Sequence, residues 1–178
     1  GLLGTTYYND LWEYSFSSSK WTQRLASNCA SATQPACRAY GSIGRDGSGQ
    51  IVLFGGTSGT ATLGDTWTLS NPTSTTSTWT LYTLASPPAR QQAAFGFLNK
   101  PGGGTAVSLV LFGGKNGSTV LGDTWTWSSG RWVQIYGPGT GSPSARYDAA
   151  AATDTSNGVV IFGGNSGSGL DSDTWVIK

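Results

Sequence analysis

The sequence predicts an all-β protein built from repeated units, and three observations support that prediction. An apolar run that ends in two glycines occurs three times, as Ile51–Gly56, Leu109–Gly114 and Val159–Gly164. Each run is followed by a loop rich in Gly, Ser and Thr and then by Asp-Thr-Trp, at Asp65–Trp67, Asp123–Trp125 and Asp173–Trp175. No segment has apolar residues at helical spacing. A unit of about fifty residues that recurs in one chain indicates a repeat architecture.

Each unit is expected to contain four strands. The first strand follows a short segment that contains Pro or Ser and ends in an arginine. A turn such as Asp46–Gly49 joins this strand to the second. The second strand is the apolar run, and its lack of polar alternation predicts burial on both faces. The third begins at the tryptophan of Asp-Thr-Trp with large residues on one face, and the fourth begins at Trp79 or Trp132. Equivalent turns are expected at Pro101–Gly104 and Asp154–Gly158.

The residues that recur once per unit are interpreted as scaffold residues rather than catalytic ones. The Gly-Gly pair tolerates positive φ and close approach of another chain segment. The aspartate before each tryptophan is expected to cap the incoming loop through its side chain. The repeated arginines are expected to satisfy carbonyl groups or an aspartate between adjacent units.

The order of these elements resembles the kelch repeat: an arginine, an apolar run ending in Gly-Gly, Asp-x-Trp and a final tryptophan. The chain is similar to secreted bacterial kelch-repeat proteins. The resemblance implies a β-propeller with four-stranded antiparallel blades arranged radially. It also implies that ligands would meet loops at one end of the propeller.

The resemblance covers residues 1–178 as a single propeller unit of about three and a quarter blades. It divides them into a half blade (1–25), two blades (38–84 and 90–136) and an incomplete blade (146–178). About four blades are needed to close a propeller. Three solutions remain open: a piece of a longer protein, two copies closing one ring, or strand addition from a neighbouring copy, which yields rings or filaments.

Self-assembly through the unfinished blades is the favoured interpretation, so the expected partners are other copies of this chain. Low charge agrees with it: 11% of residues are charged, against roughly 25% in an average domain, which weakens like-charge repulsion between copies. The candidate interface residues are apolar and aromatic side chains near the two termini, namely Leu2, Leu3, Tyr7, Tyr8, Trp12, Trp21, Trp175 and Ile177.

Two features indicate an extracellular location, either secreted or at a cell surface. Cys29 and Cys37 fit no zinc or redox spacing, so they are interpreted as a disulfide, with two free buried thiols as the alternative. Asn116 begins an Asn-Gly-Ser sequon and is a candidate glycosylation site. No stretch of the sequence has the length and hydropathy of a membrane span.

The residue inventory argues against catalysis. The chain has no histidine, which is the usual general base near neutral pH and the commonest metal ligand. Its one glutamate is Glu13, so no catalytic residue, cofactor site or metal site is predicted. A net charge of +1 without a basic run argues against nucleic acid. The predicted function is a non-enzymatic structural or adhesive protein, with a module that binds glycans or another protein as the alternative.

Overall fold

The all-β prediction is confirmed by the computed structural model, which describes residues 1–74, 76–100, 104–139, 141–154 and 158–178. These residues form strands, turns and loops, and no helix occurs among them. The strands in chain order are β1 (Leu2–Leu3), β2 (Thr6–Tyr7), β3 (Leu11–Ser15), β4 (Lys20–Leu25), β5 (Ser42–Arg45), β6 (Ile51–Thr57), β7 (Thr62–Ser70), β8 (Thr78–Tyr82), β9 (Ala94–Lys100), β10 (Gly104–Phe112), β11 (Lys115–Asn116), β12 (Thr119–Val120), β13 (Thr124–Ser128), β14 (Arg131–Tyr136), β15 (Ala150–Thr153), β16 (Val159–Phe162) and β17 (Thr174–Ile177).

The strands form four main antiparallel sheets. The first full sheet has the order β5-β6-β7-β8, and the second full sheet has the order β9-β10-β13-β14. The C-terminal sheet contains β15-β16-β17, and the N-terminal hairpin contains β3-β4. Of two small hairpins, β1-β2 precedes β3, and β11-β12 lies in the loop between β10 and β13. The turn at Asp46 is closed by two backbone hydrogen bonds, whereas the other two expected turns lie partly outside the described residues.

The core lies between the sheets. Val52 and Phe54 of the first full sheet pack against Leu109 and Leu111 of the second. On the opposite face of β10, Val110 and Phe112 pack against Val159 and Ile161 of the C-terminal sheet. Burial on both faces is therefore present in β10 from Leu109 to Phe112, where the strand lies between two sheets. It is partial for β6, where the side that carries Leu53 faces a cavity beside the N-terminal hairpin. It is also partial for β16, where Phe162 has no neighbouring sheet over it in the described structure.

Backbone hydrogen bonds join each unit to the next at one end of the sheets. The amide of Gly56 donates to the carbonyl of Arg90 over 2.8 Å, and Gly114 donates to Arg146 over the same distance. A second series of backbone hydrogen bonds joins three equivalent residues that have positive φ, namely Tyr40, Gln92 and Asp148. Gln92 donates to the carbonyl of Tyr40 over 3.1 Å, and Asp148 donates to Gln92 over 3.0 Å. These contacts fix the spacing of successive sheets.

Candidate functional site

The repeated arginine and aspartate form one cluster in each unit, built around a buried arginine. In the second full sheet, the Arg90 guanidinium donates to both carboxylate oxygens of Asp123 over 2.7 and 2.8 Å. It also donates to the carbonyl of Gly113 over 2.9 Å. The Trp125 indole N–H donates to the same carboxylate over 2.6 Å. Equivalent clusters join Arg38 with Asp65 and Arg146 with Asp173.

These clusters confirm that the repeated arginines satisfy carbonyl groups, and they correct two other expectations about the repeated residues. Each arginine binds the aspartate and the glycine carbonyl of its own unit, so it does not bridge adjacent units through an aspartate. Each aspartate accepts from the arginine and the following tryptophan instead of capping the incoming loop. The physical reason is burial: a desolvated guanidinium needs a carboxylate within reach, and the antiparallel strands return the aspartate to it.

The clusters hold their carboxylates ionised. Burial alone would raise the pKa of Asp65 and Asp123, but the arginine of each cluster and the indole N–H outweigh it, so both pKa values lie below 3.8. The hydrogen bond from Arg146 lowers the pKa of the more exposed Asp173 as well. An ionised carboxylate that is fully engaged by donors is a poor proton acceptor near neutral pH, so the geometry serves the scaffold.

The lowered pKa values predict a loss of stability in acid. A carboxyl group whose pKa is lower in the folded state than in the unfolded state stabilises the fold. This contribution is complete when the pH lies above the unfolded-state pKa of about 3.8, and it is lost as the pH falls through the folded-state pKa. The urea midpoint is therefore expected to be level from about pH 7 to 5 and to fall between about pH 4 and 2. A midpoint that stayed level down to about pH 2 would contradict this.

The N-terminal segment has the structure of the second half of a unit. The terminal amino group of Gly1 donates to the carbonyl of Arg38 over 2.8 Å, as Gly56 does to Arg90. The amide of Arg38 donates to Tyr8 over 3.2 Å. The Trp12 indole N–H donates to Asp10 over 2.6 Å, matching the other tryptophans. Among the described residues, however, no arginine donates a hydrogen bond to Asp10.

The N-terminal hairpin exposes aromatic side chains that are buried at equivalent positions elsewhere. Trp21 lies opposite Tyr14 in the hairpin, as Trp132 lies opposite Trp127 in the second full sheet. Trp21 is 66% exposed, whereas Trp132 is 6% exposed. Tyr14 also contacts Phe16, with ring centroids 5.2 Å apart. The hairpin therefore presents the interior face of a sheet to solvent.

A cavity of about 500 Å³ separates the N-terminal hairpin from the first full sheet. Leu11, Ile43, Leu53 and Trp79 contribute apolar walls. The indole N–H of Trp79 is buried and has no acceptor among the described residues. The equivalent Trp132 donates to the Thr66 hydroxyl of the preceding sheet over 3.0 Å. Leu11 occupies the position of Thr66 in the hairpin, so the acceptor is missing.

Restoring that hydroxyl is expected to stabilise the chain. The Leu11→Thr variant should have a free energy of unfolding about 1 kcal/mol higher than Leu11→Val, because only threonine supplies an acceptor to Trp79. Valine is the matched control, since its shape is nearly that of threonine and it carries a methyl group where threonine has the hydroxyl. Urea unfolding of both variants measures the difference, and equal midpoints would contradict the assignment.

The C-terminal sheet also leaves apolar side chains uncovered. Phe162 is 54% exposed, whereas the equivalent Phe54 is 1% exposed beneath the second full sheet. Val176 on β17 is half exposed. Tyr136, on the adjacent edge of the second full sheet, is 52% exposed. Within the described structure, β17 is the outer edge of this sheet and pairs with β16 alone.

The proposed interface residues divide into exposed and packed groups. Leu2, Leu3, Trp12 and Trp21 are exposed. Tyr7 and Tyr8 are partly buried, and the ring of Tyr7 lies beside Gly59. Trp175 packs against the core, and Ile177 is buried within it. Ile177 is therefore covered while β17 holds its place, whereas Trp175 remains partly accessible.

The disulfide predicted between Cys29 and Cys37 is present, with Cα atoms 5.0 Å apart. Asn116 is exposed in the β11-β12 hairpin, where a sequon asparagine is accessible. The described residues contain no helix long and apolar enough to cross a membrane. These features are compatible with an extracellular protein.

The structure also identifies contacts that the repeat pattern did not indicate. The positive φ angles of Tyr40 and Gln92 have no signal in the residue types, and the orphaned N–H of Trp79 depends on a residue in another unit. The described part of the chain contains no group of three or more potential metal-ligating side chains. Neither a family model nor a curated protein matches this sequence.

Proposed function

We propose that this chain is a non-enzymatic extracellular protein with a structural or adhesive role, which self-assembles by completing kelch-type β-propeller blades between subunits. The main support is the exposure of interior positions at both ends of the sheet stack. Trp21 and Phe162 are largely exposed, although their equivalents Trp132 and Phe54 are buried. Exposed apolar faces next to unpaired strand edges favour association with further strands.

The arginine–aspartate clusters support a role without catalysis. Each of the three repeated aspartates is engaged by an arginine and by an indole N–H. Outside the clusters the chain is rich in hydroxyl groups, amides and aromatic rings and low in charge. Such a composition suits packing of subunits or adhesion to neutral surfaces.

Light scattering and electron microscopy of the purified chain test the proposal. The full chain at micromolar concentration is expected to form a closed dimer or longer filaments. A variant that lacks residues 1–23 should remain monomeric, because the exposed aromatic face is removed. Circular dichroism must show that this variant keeps its β-structure. A full chain that stays monomeric, or a truncated chain that assembles normally, would contradict the proposal.

A binding module for glycans or another protein is the second candidate, and one observation favours it. The contact between Tyr14 and Trp21, with ring centroids 5.1 Å apart, lies on an exposed surface. Sugar rings stack on aromatic faces of this kind. Tyr147 is less suitable, because the Lys115 ammonium already lies 4.1 Å from its ring centroid. A glycan array that gave micromolar binding to a strictly monomeric chain would favour this alternative.

A further inference from the structure

We propose that two copies of this chain assemble by strand exchange, in which β3 and β4 of one copy replace β17 in the C-terminal sheet of the other. The inference rests on the self-assembly proposed above and specifies the residues that meet. Its starting point is that residues 1–15 and 164–178 occupy the same positions of the repeated unit.

Backbone contacts establish that equivalence. The amide of Tyr8 donates to the carbonyl of Gly1 over 2.8 Å, and Asp171 donates to Gly164 over 2.9 Å. Both bonds match the one from Leu121 to Gly114 in the second full sheet. The tryptophan that follows each aspartate by two residues donates to it over 2.6 Å at both termini. β3 and β17 are therefore alternative third strands for one sheet.

The exchange supplies the missing partner of Asp10. In the C-terminal sheet, the Arg146 guanidinium binds Asp173 of β17 in the same copy. Replacement of β17 by β3 of a second copy would put Asp10 in the place of Asp173. The number of ion pairs does not change, because Arg146 pairs with one aspartate in either arrangement. Asp173, whose side chain is already 46% exposed, would become solvated.

The aromatic face of the hairpin fits the surface it would meet. In the internal junction, Trp127 contacts Tyr82 of the preceding sheet, with ring centroids 4.9 Å apart. By the same register, Tyr14 would contact Tyr136 of the other copy, which is half exposed without it. Trp21 corresponds to Trp132 and would lie over Phe112 and beside the Thr124 hydroxyl.

The opposite face of the exchanged sheet is also complementary. Phe162 projects from the side of β16 that corresponds to Phe54 in the first full sheet. In the assembly it would face Ile43 and Leu53 of the second copy. These residues line the cavity of about 500 Å³ beside the N-terminal hairpin. Exchange therefore buries the exposed apolar side chains at both ends of the stack together.

Strand numbers agree with closure. Without β17 and the two small hairpins, the described residues of each copy supply the two strands of the N-terminal hairpin, two full sheets, and β15 with β16. A reciprocal pair of copies would then contain six complete four-stranded sheets. Closed propellers usually contain four to eight. With β17 kept in place, the third strand of the shared sheet would be present twice, so β17 has to leave.

A designed disulfide tests the exchanged register in the full chain. Val160 lies opposite Val176 in the structure, and Glu13 is the equivalent of Val176. The Glu13→Cys and Val160→Cys variants, mixed and mildly oxidised, are expected to form a crosslinked heterodimer that disappears on reduction. Ser18→Cys, on an exposed turn, is the control for random crosslinking. Equal crosslinking of Ser18→Cys and Glu13→Cys to Val160→Cys would overturn the proposal.

A second disulfide separates failure of the exchange from failure of self-assembly. The Val160→Cys/Val176→Cys variant should form a bond within one chain that locks β17 onto β16. Oxidised, it should lose the dimer that the Val160→Cys variant forms. If the locked chain assembles fully, exchange is wrong and self-assembly stands. If the unsubstituted chain is monomeric at micromolar concentration, both proposals are wrong. Thermal melting confirms that each variant is folded.

Discussion

Replacing Arg90 with leucine is expected to lower the free energy of unfolding by about 3–5 kcal/mol. The Arg90 side chain is almost fully buried and satisfies Asp123 together with the carbonyl of Gly113. Leucine fills part of the volume, but it leaves the carboxylate with the Trp125 indole N–H and no cation, and it leaves the Gly113 carbonyl without the guanidinium. An uncompensated charge in a mostly buried site costs far more than the loss of a hydrogen bond in water.

Arg24 provides the matched control for this substitution. It forms an ion pair with Glu13 at a site that is more accessible to solvent, and both side chains are partly exposed. Arg24→Leu is expected to cost no more than about 1 kcal/mol, because water replaces the lost partner. Urea unfolding followed by tryptophan fluorescence at one fixed protein concentration measures both variants. Equal effects would contradict a special role for the buried cluster.

The large features of the fold could be predicted because they repeat. The apolar runs ending in Gly56, Gly114 and Gly164 indicated buried strands, and burial of Trp127 agrees with the inward position assigned to the third strand. The errors concerned the partners of the repeated arginines and aspartates. The repeat pattern predicted that the arginines engage carbonyl groups or an aspartate between units, but only the strand register showed that Arg90 reaches Asp123 of its own unit.

The candidate site could be predicted less completely, since its features arise between units. The aromatic residues Trp12 and Trp21 were assigned to an interface, and both are exposed. The role of Leu11 could not be predicted, because a leucine is common in strands and only the unpaired N–H of Trp79 shows that an acceptor is missing. Nor could a sequence pattern show that β17 and β3 are equivalent third strands with different surroundings.

Gly113→Ala is expected to cost about 2–5 kcal/mol, combining the left-handed backbone of an alanine with a steric clash. Gly113 has a φ of +65°, and an added Cβ would overlap the carbonyl oxygen of Arg146 in the next sheet. That carbonyl accepts the inter-sheet hydrogen bond from Gly114 over 2.8 Å. The alanine methyl group would therefore push apart the second full sheet and the C-terminal sheet.

Gly163→Ala isolates the clash from the backbone strain. Gly163 has a φ of +64°, close to that of Gly113, but its added Cβ would meet only the Asp171 carbonyl oxygen, at 3.2 Å. In the monomer it should cost about 1–2 kcal/mol, the strain alone. In the exchanged dimer, Gly163 would face Arg38 of the other copy and acquire the same clash. Urea unfolding of the dilute monomer should therefore show a larger loss of stability for Gly113→Ala than for Gly163→Ala. Light scattering should show that Gly163→Ala weakens the dimer. Equal losses of monomer stability would mean that the inter-sheet contact at Arg146 contributes nothing.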